Sequence, residues 1–99
     1  MAFSEQDIQA VWEKGEIIPT YDSNKWRKDK CGAWMTRSEY GNRDSPYGWE
    51  IDHITPKESG GTDKIDNLRP LQWENNASKS SGRLVCVVIS SGKKNVKKK

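Results

Sequence analysis

The aromatic residues set the tightest limit on what this chain can fold into. Five tryptophans, at positions 12, 26, 34, 49 and 73, stand with three tyrosines and one phenylalanine in a 99-residue sequence that is only 32% hydrophobic. A chain of this length holds one compact domain and buries a modest surface, so its core has to be small and built largely on aromatic rings. The longest apolar run, residues 84–89, falls far short of the roughly 20 residues that span a bilayer. The N-terminus has neither a basic flank nor an apolar stretch, so no secretory signal is visible, and a cytoplasmic location is the expectation. Cys31 and Cys86 stand far apart with no CxxC, which removes a zinc ribbon and leaves at most one disulfide. Free thiols are expected, because a reducing cytosol disfavours the bond.

Charge divides the chain. The net is +3, yet residues 93–99 hold five of the seventeen cations, leaving twelve against fourteen acids, a net of −2, in residues 1–92. The chain is therefore read as a domain over 1–92 followed by a basic, low-complexity tail over 93–99 that is disordered when unbound. That tail either solubilises the chain or touches phosphates without reading sequence. Within the body, Lys25, Arg27, Lys28, Lys30, Arg37 and Arg43 concentrate in residues 25–43, where the only acids are Asp29 and Glu39. One face of the domain is expected to be positive.

Periodicity supplies the elements. Ser4 with Asp7 reads as a helix cap, and Ile8, Val11 and Trp12 follow at helical spacing, predicting an amphipathic helix over 4–14 that ends at Gly15. Ile17-Ile18 and residues 33–36 suggest short extended pieces separated by turn residues. Residues 49–54 alternate, placing Trp49, Ile51 and His53 on one side and Glu50 and Asp52 on the other, and Thr55-Pro56 ends the strand. A polar connection with Gly60-Gly61 leads to Asp66-Asn67 and an extended Leu68–Leu71. Residues 73–81 then read as a polar helix. Trp49 and Trp73 are assigned to the core. These elements predict a small α+β domain.

His53 is the only histidine. It follows an acid at the end of a strand, and two amides, Asn67 and Asn76, lie downstream on other elements. The Asn75-Asn76 pair is a poor choice inside a helix, since asparagine competes for backbone hydrogen bonds, and such local misfits gather at functional sites.

The run Asp52-His53-Ile54, Pro56, Gly60-Gly61, Asp66-Asn67-Leu68, Leu71, Asn75-Asn76 and Lys79 strongly resembles the signature of HNH endonucleases over residues of about 47–81. The resemblance implies a ββα-metal finger, a β-hairpin followed by a helix, flanked here by the N-terminal helix, in a His-Asn-Asn variant. It implies a metal-dependent enzyme that hydrolyses DNA phosphodiester bonds. His53 would be the general base, and Asp52 and Asn76 would hold one divalent cation, with Asn75 as the register alternative for Asn76. Asn67 would fasten the connection behind His53. Oxygen donors favour Mg²⁺ or Mn²⁺ over Ni²⁺ or Zn²⁺. Lys79 would contact phosphate, and Arg27, Lys28 and Lys30 belong to the basic cluster expected to bind nucleic acid. Glu50 either faces solvent or lends negative potential to the site. The zinc knuckles that brace some members are missing. With no base-reading module, DNA would be gripped through its backbone, with weak sequence specificity; a membrane is not an expected partner. The alternative reading is a nucleic-acid-binding accessory domain of the same fold that cleaves little without a partner protein.

Overall fold

The computed structural model describes residues 3–80 and 82–99. The first helix, α1, spans Glu5–Trp12, and the Ser4 hydroxyl accepts the Asp7 N–H at 3.1 Å. It stops short of the expected end because Lys14 N–H and Gly15 N–H bond three residues back, to Val11 and Trp12, which tightens and closes the last turn. Three short antiparallel strands follow in the order β1 (Glu16–Ile17), β2 (Trp26–Lys28) and β3 (Trp34–Thr36).

The second sheet positions the site. Strand β4 (Trp49–His53) pairs antiparallel with β5 (Leu68–Gln72), setting Asp52 opposite Arg69 and His53 opposite Leu68. Pro70 is tolerated in β5 because this sheet has only two strands, so its missing N–H breaks no outer ladder. Helix α2 (Trp73–Ala77) follows at once, capped by the Gln72 side chain, which accepts from Glu74 N–H and Asn75 N–H. It is shorter than the expected helix over 73–81, since Lys79 N–H bonds three back to Asn76 and Ser80 turns to exchange both backbone bonds with Arg83. Residue 81 lies outside the described residues.

The core is small and aromatic, as the sequence requires. Ile8, Val11 and Trp12 of α1 pack with Met35, Trp49 and Leu68, and the Trp12 and Trp49 rings meet at 5.2 Å. A second aromatic group joins Trp26 and Trp34 edge to face, with Tyr21 against Trp34 and Tyr47 against Trp26. Between the sheets lies a buried polar brace. One Asp29 oxygen accepts Cys31 N–H and Ala33 N–H, and the other accepts Gln72 N–H and the Asn75 amide, all at 2.9–3.0 Å. Asn75 then bonds Val87 and Val88 through both ends of its amide. The Asp29 carboxyl is pushed above its ordinary value by burial, against the pull of these four donors.

Two expectations are corrected here. Cys31 and Cys86 are not free thiols but form a disulfide, with Cα atoms 5.5 Å apart. The turn closed by Gly32 N–H on Asp29 brings Cys31 to the strand leading out of Val87, which Asn75 fixes in place. The lysine-rich end is also not a disordered tail: β6 (Val88–Ser91) and β7 (Lys94–Lys97) form an antiparallel hairpin. Asn95 explains why, since its side chain accepts Trp34 N–H and donates to the carbonyls of Trp34 and Pro46. Lys97 adds a contact to Glu74 on α2. No helix among the described residues is long and apolar enough to cross a membrane.

Candidate active site

Strand β4 and helix α2 converge on one concave surface lined by Ile51, Asp52, His53, Asn76 and Lys79, with Pro56, Lys57 and Glu58 along its rim. Four of the residues singled out from sequence therefore meet in one cleft. Their alternation along β4 sends Asp52 toward α2 and leaves His53 on the side of the N-terminal segment, where the Phe3 ring lies 6.1 Å from the imidazole.

His53 Nε2 lies 2.7 Å from Asp63 Oδ1, and Lys57 donates to the other Asp63 oxygen at 3.2 Å. These bonds hold the Asp63 carboxyl below the usual carboxylate range, the imidazole contributing most. Because a carboxylate only accepts, neutral His53 must place its proton on Nε2, which leaves Nδ1 as the basic nitrogen. Asp63 was not legible from the sequence. It reaches His53 because the connection folds back on itself: Gly60 takes a left-handed φ of +93°, and a side chain on Gly61 would run into Thr55 O. Asn67 closes this loop with three bonds, accepting Thr55 N–H and donating to the carbonyls of Thr55 and Thr62.

Asp52 is buried, and both its oxygens are engaged. Oδ1 accepts Lys79 Nζ at 2.6 Å and Oδ2 accepts Arg69 Nε at 2.7 Å. Lys79 also donates to His53 O, so its ammonium sits inside the cleft rather than on an open helix face. Arg69 is a second residue that sequence reading left out; its register opposite Asp52 was the only available signal. Asn76 donates to Glu50 Oε1 at 2.8 Å, while Arg43 holds Glu50 with two bonds at 2.7 and 2.9 Å. Arg43, followed by the Asn76 bond, keeps the Glu50 carboxyl below its ordinary value despite partial burial. Glu50 is thus tied into the site and not a free surface acid.

The donor types suit a hard divalent cation: one carboxylate, Asp52, and one amide, Asn76, share the cleft. Among the described residues no group of three or more His, Cys, Asp or Glu side chains is arranged to hold a metal, so an ion here would rest on that pair with solvent or substrate completing its shell. An ion on Asp52 Oδ1 would compete with the Lys79 ammonium.

The residues of the basic cluster sit in different surroundings. Arg27 is buried, and its guanidinium donates to the carbonyls of Ser23, Glu13 and Gly15. It ties α1 to β2, with three of its five N–H groups donating to carbonyls inside the fold. Lys28 lies over the Trp34 ring at 5.4 Å, and Lys30 is exposed; both line a groove with Lys14 and Arg69. Trp49 is fully buried, and Trp73 is half-buried with its indole N–H on Ser45 O. Both pack within the fold.

Residues 37–82 match the family model described as HNH endonuclease. No match was found among curated proteins or solved structures. The matched stretch contains β4, β5 and α2 together with Arg43, Glu50, Asp52, His53, Asp63, Asn67, Arg69, Asn76 and Lys79. Just under half of the chain, residues 37–82, thus matches the HNH endonuclease family.

Proposed function

We propose that this chain is a metal-dependent DNA endonuclease in which His53 activates water for attack on a phosphodiester. The observation that carries this reading is the meeting of Asp52, His53, Asn76 and Lys79 in one cleft, with Asp63 fixing the histidine tautomer. Water binds beside His53 Nδ1 and gives up its proton there as its oxygen attacks phosphorus. Asp63 does not take that proton; it steadies the imidazolium that forms, as the carboxylate of a catalytic triad does. Asp52 and Asn76 would hold a divalent cation, Mg²⁺ or Mn²⁺ by donor type, which supplies neutralising charge at the scissile phosphate and the leaving 3′ oxygen. Lys79, whose ammonium shares the cleft with Asp52, would pair with a phosphate oxygen when a cation is held there. Lys28, Lys30 and the lysines of the β6–β7 hairpin give backbone contacts that weaken with salt.

One observation favours the accessory-domain reading instead: Asp52 is already neutralised by Lys79 and Arg69. Plasmid nicking separates the two. Supercoiled DNA incubated with the protein and Mg²⁺ or Mn²⁺ should be nicked, chelator should stop the reaction, and His53→Ala should abolish it without loss of DNA binding. Binding without nicking under both metals would establish the accessory role.

A further inference from the structure

We propose that Glu50 is a positioning residue for the cation site, turning the Asn76 amide so that it presents oxygen and not nitrogen to a bound ion; this rests on the metal-dependent reading above. An asparagine ligand has a problem that a carboxylate lacks. Its two ends differ in chemistry: the carbonyl oxygen is a hard donor, while the NH₂ group has only protons to offer. Rotation about the last side-chain bond exchanges them at little cost, since that torsion is broad and two-fold. Something has to choose the end.

Glu50 makes the choice. A carboxylate accepts and never donates, so the Asn76 group facing Glu50 Oε1 at 2.8 Å must be the NH₂. No donor among the described residues reaches Asn76 Oδ1, and because no buried side-chain polar atom among them lacks a partner, that oxygen is open to solvent. It belongs to the residue that lines the cleft with Asp52. Glu50 is itself held: Arg43 grips both its oxygens, and the Arg43 guanidinium lies 5.6 Å from the Trp73 ring, whose N–H is fixed on Ser45 O. The relay runs Trp73, Arg43, Glu50, Asn76, and it joins β4 to the first and last turns of α2. The two-pronged contact with Arg43 also neutralises Glu50, so its charge adds little potential at the cleft, and orientation is what remains for it to contribute.

Mn²⁺ binding to the full chain, followed by the loss of the free-ion electron paramagnetic resonance signal, tests this without relying on turnover. Glu50→Leu should weaken Mn²⁺ ten- to a hundredfold, the usual effect of removing a group that orients a ligand, and should match Asn76→Ala. Glu50→Gln, which keeps an acceptor oxygen but no charge, should stay close to wild type. Arg43→Met is the sharpest arm, and its exposed side chain makes it safe for folding. Freed of its anchor, Glu50 holds Asn76 less well and Mn²⁺ binding should weaken. If Glu50 acted through its charge, the same change would unmask a carboxylate and tighten binding. Tightening in Arg43→Met, or wild-type affinity in Glu50→Leu where Asn76→Ala is weakened, overturns the positioning role alone. Absence of Mn²⁺ binding by the wild-type chain overturns the metal reading, and the positioning role with it. Circular-dichroism melts of each variant show whether Glu50→Leu is folded; if it is not, Glu50→Gln and Arg43→Met decide the matter.

Discussion

Breaking the Cys31–Cys86 bond should destabilise the fold strongly while leaving every side chain of the site intact. The bond closes a loop across 55 positions of a 99-residue chain. In the chain-entropy account, a loop of that size removes about 4 kcal/mol of freedom from the unfolded state. A domain of about this length shifts by roughly 4–8 °C per kcal/mol, so the melting temperature should fall by about 15–30 °C. The non-covalent ties between the same segments, from Asn75 to Val87 and Val88 and from Asn95 to Trp34, do not replace the bond, because they vanish on unfolding and leave the unfolded chain unconstrained. Circular-dichroism melts with and without reductant, and of Cys31→Ser/Cys86→Ser, measure the effect. Hydrogen exchange adds a local reading: amides of the β6–β7 hairpin should lose protection before those of α1, since the hairpin hangs from the severed end. A double variant melting within a few degrees of the oxidised wild type would refute the entropic reasoning. The bond also bears on where the chain works, for the cytoplasmic expectation and a structural disulfide pull in opposite directions.

Two further outcomes follow from the buried polar groups. Asp29→Asn turns an NH₂ toward two of the four N–H donors that now meet a carboxylate, and should destabilise by about 2–5 kcal/mol in denaturant melts. Because burial raises the folded-state value of Asp29, its contribution is fullest below the ordinary aspartate range and declines as pH rises through the folded value. The stability gap between wild type and Asp29→Asn should therefore be wider at acid pH than near neutrality; a gap that widens with rising pH would overturn this assignment. Arg27→Ala should cost about 2–4 kcal/mol while leaving the salt dependence of DNA binding unchanged, whereas Lys30→Ala should leave stability alone and reduce that salt slope by about one contact. Equal salt slopes for the two variants would show that buried and exposed cations had been wrongly separated.

What could be read from the chain were features with a local cause. The Ser4 cap, the Trp12 face of α1, the alternation of β4 and the spacing from Asp52 to Lys79 each depend on neighbours a few residues away, and each lies where the sequence placed it. Asp63 escaped because its partner is ten residues upstream and reached only through the Gly60-Gly61 turn. The lysines of 93–99 suggested disorder by composition, yet one asparagine, Asn95, supplies three long-range bonds that composition does not register.

These misreadings share a physical origin in the shortage of apolar residues with which the chain began. Eleven buried apolar side chains among the described residues, six of them in one cluster, cannot by themselves tie α1, two sheets and a hairpin together. The remaining joints are polar: Arg27 to three carbonyls, Asp29 to four N–H groups, Gln72 to the start of α2 and Asn75 to the strand after Cys86. A rule that sends charged and amide side chains to the surface fails at those joints, since burial with full hydrogen bonding is there the cheaper arrangement. The Asn75-Asn76 pair shows both outcomes side by side. Either residue is a poor helix former, and sequence alone offers no way to tell a structural amide from a ligand. One turns inward to complete the Asp29 brace; the other faces Glu50 and the cleft, with an oxygen left over. The same local misfit thus marks a joint at one position and a site at the next, and only the partners distinguish them.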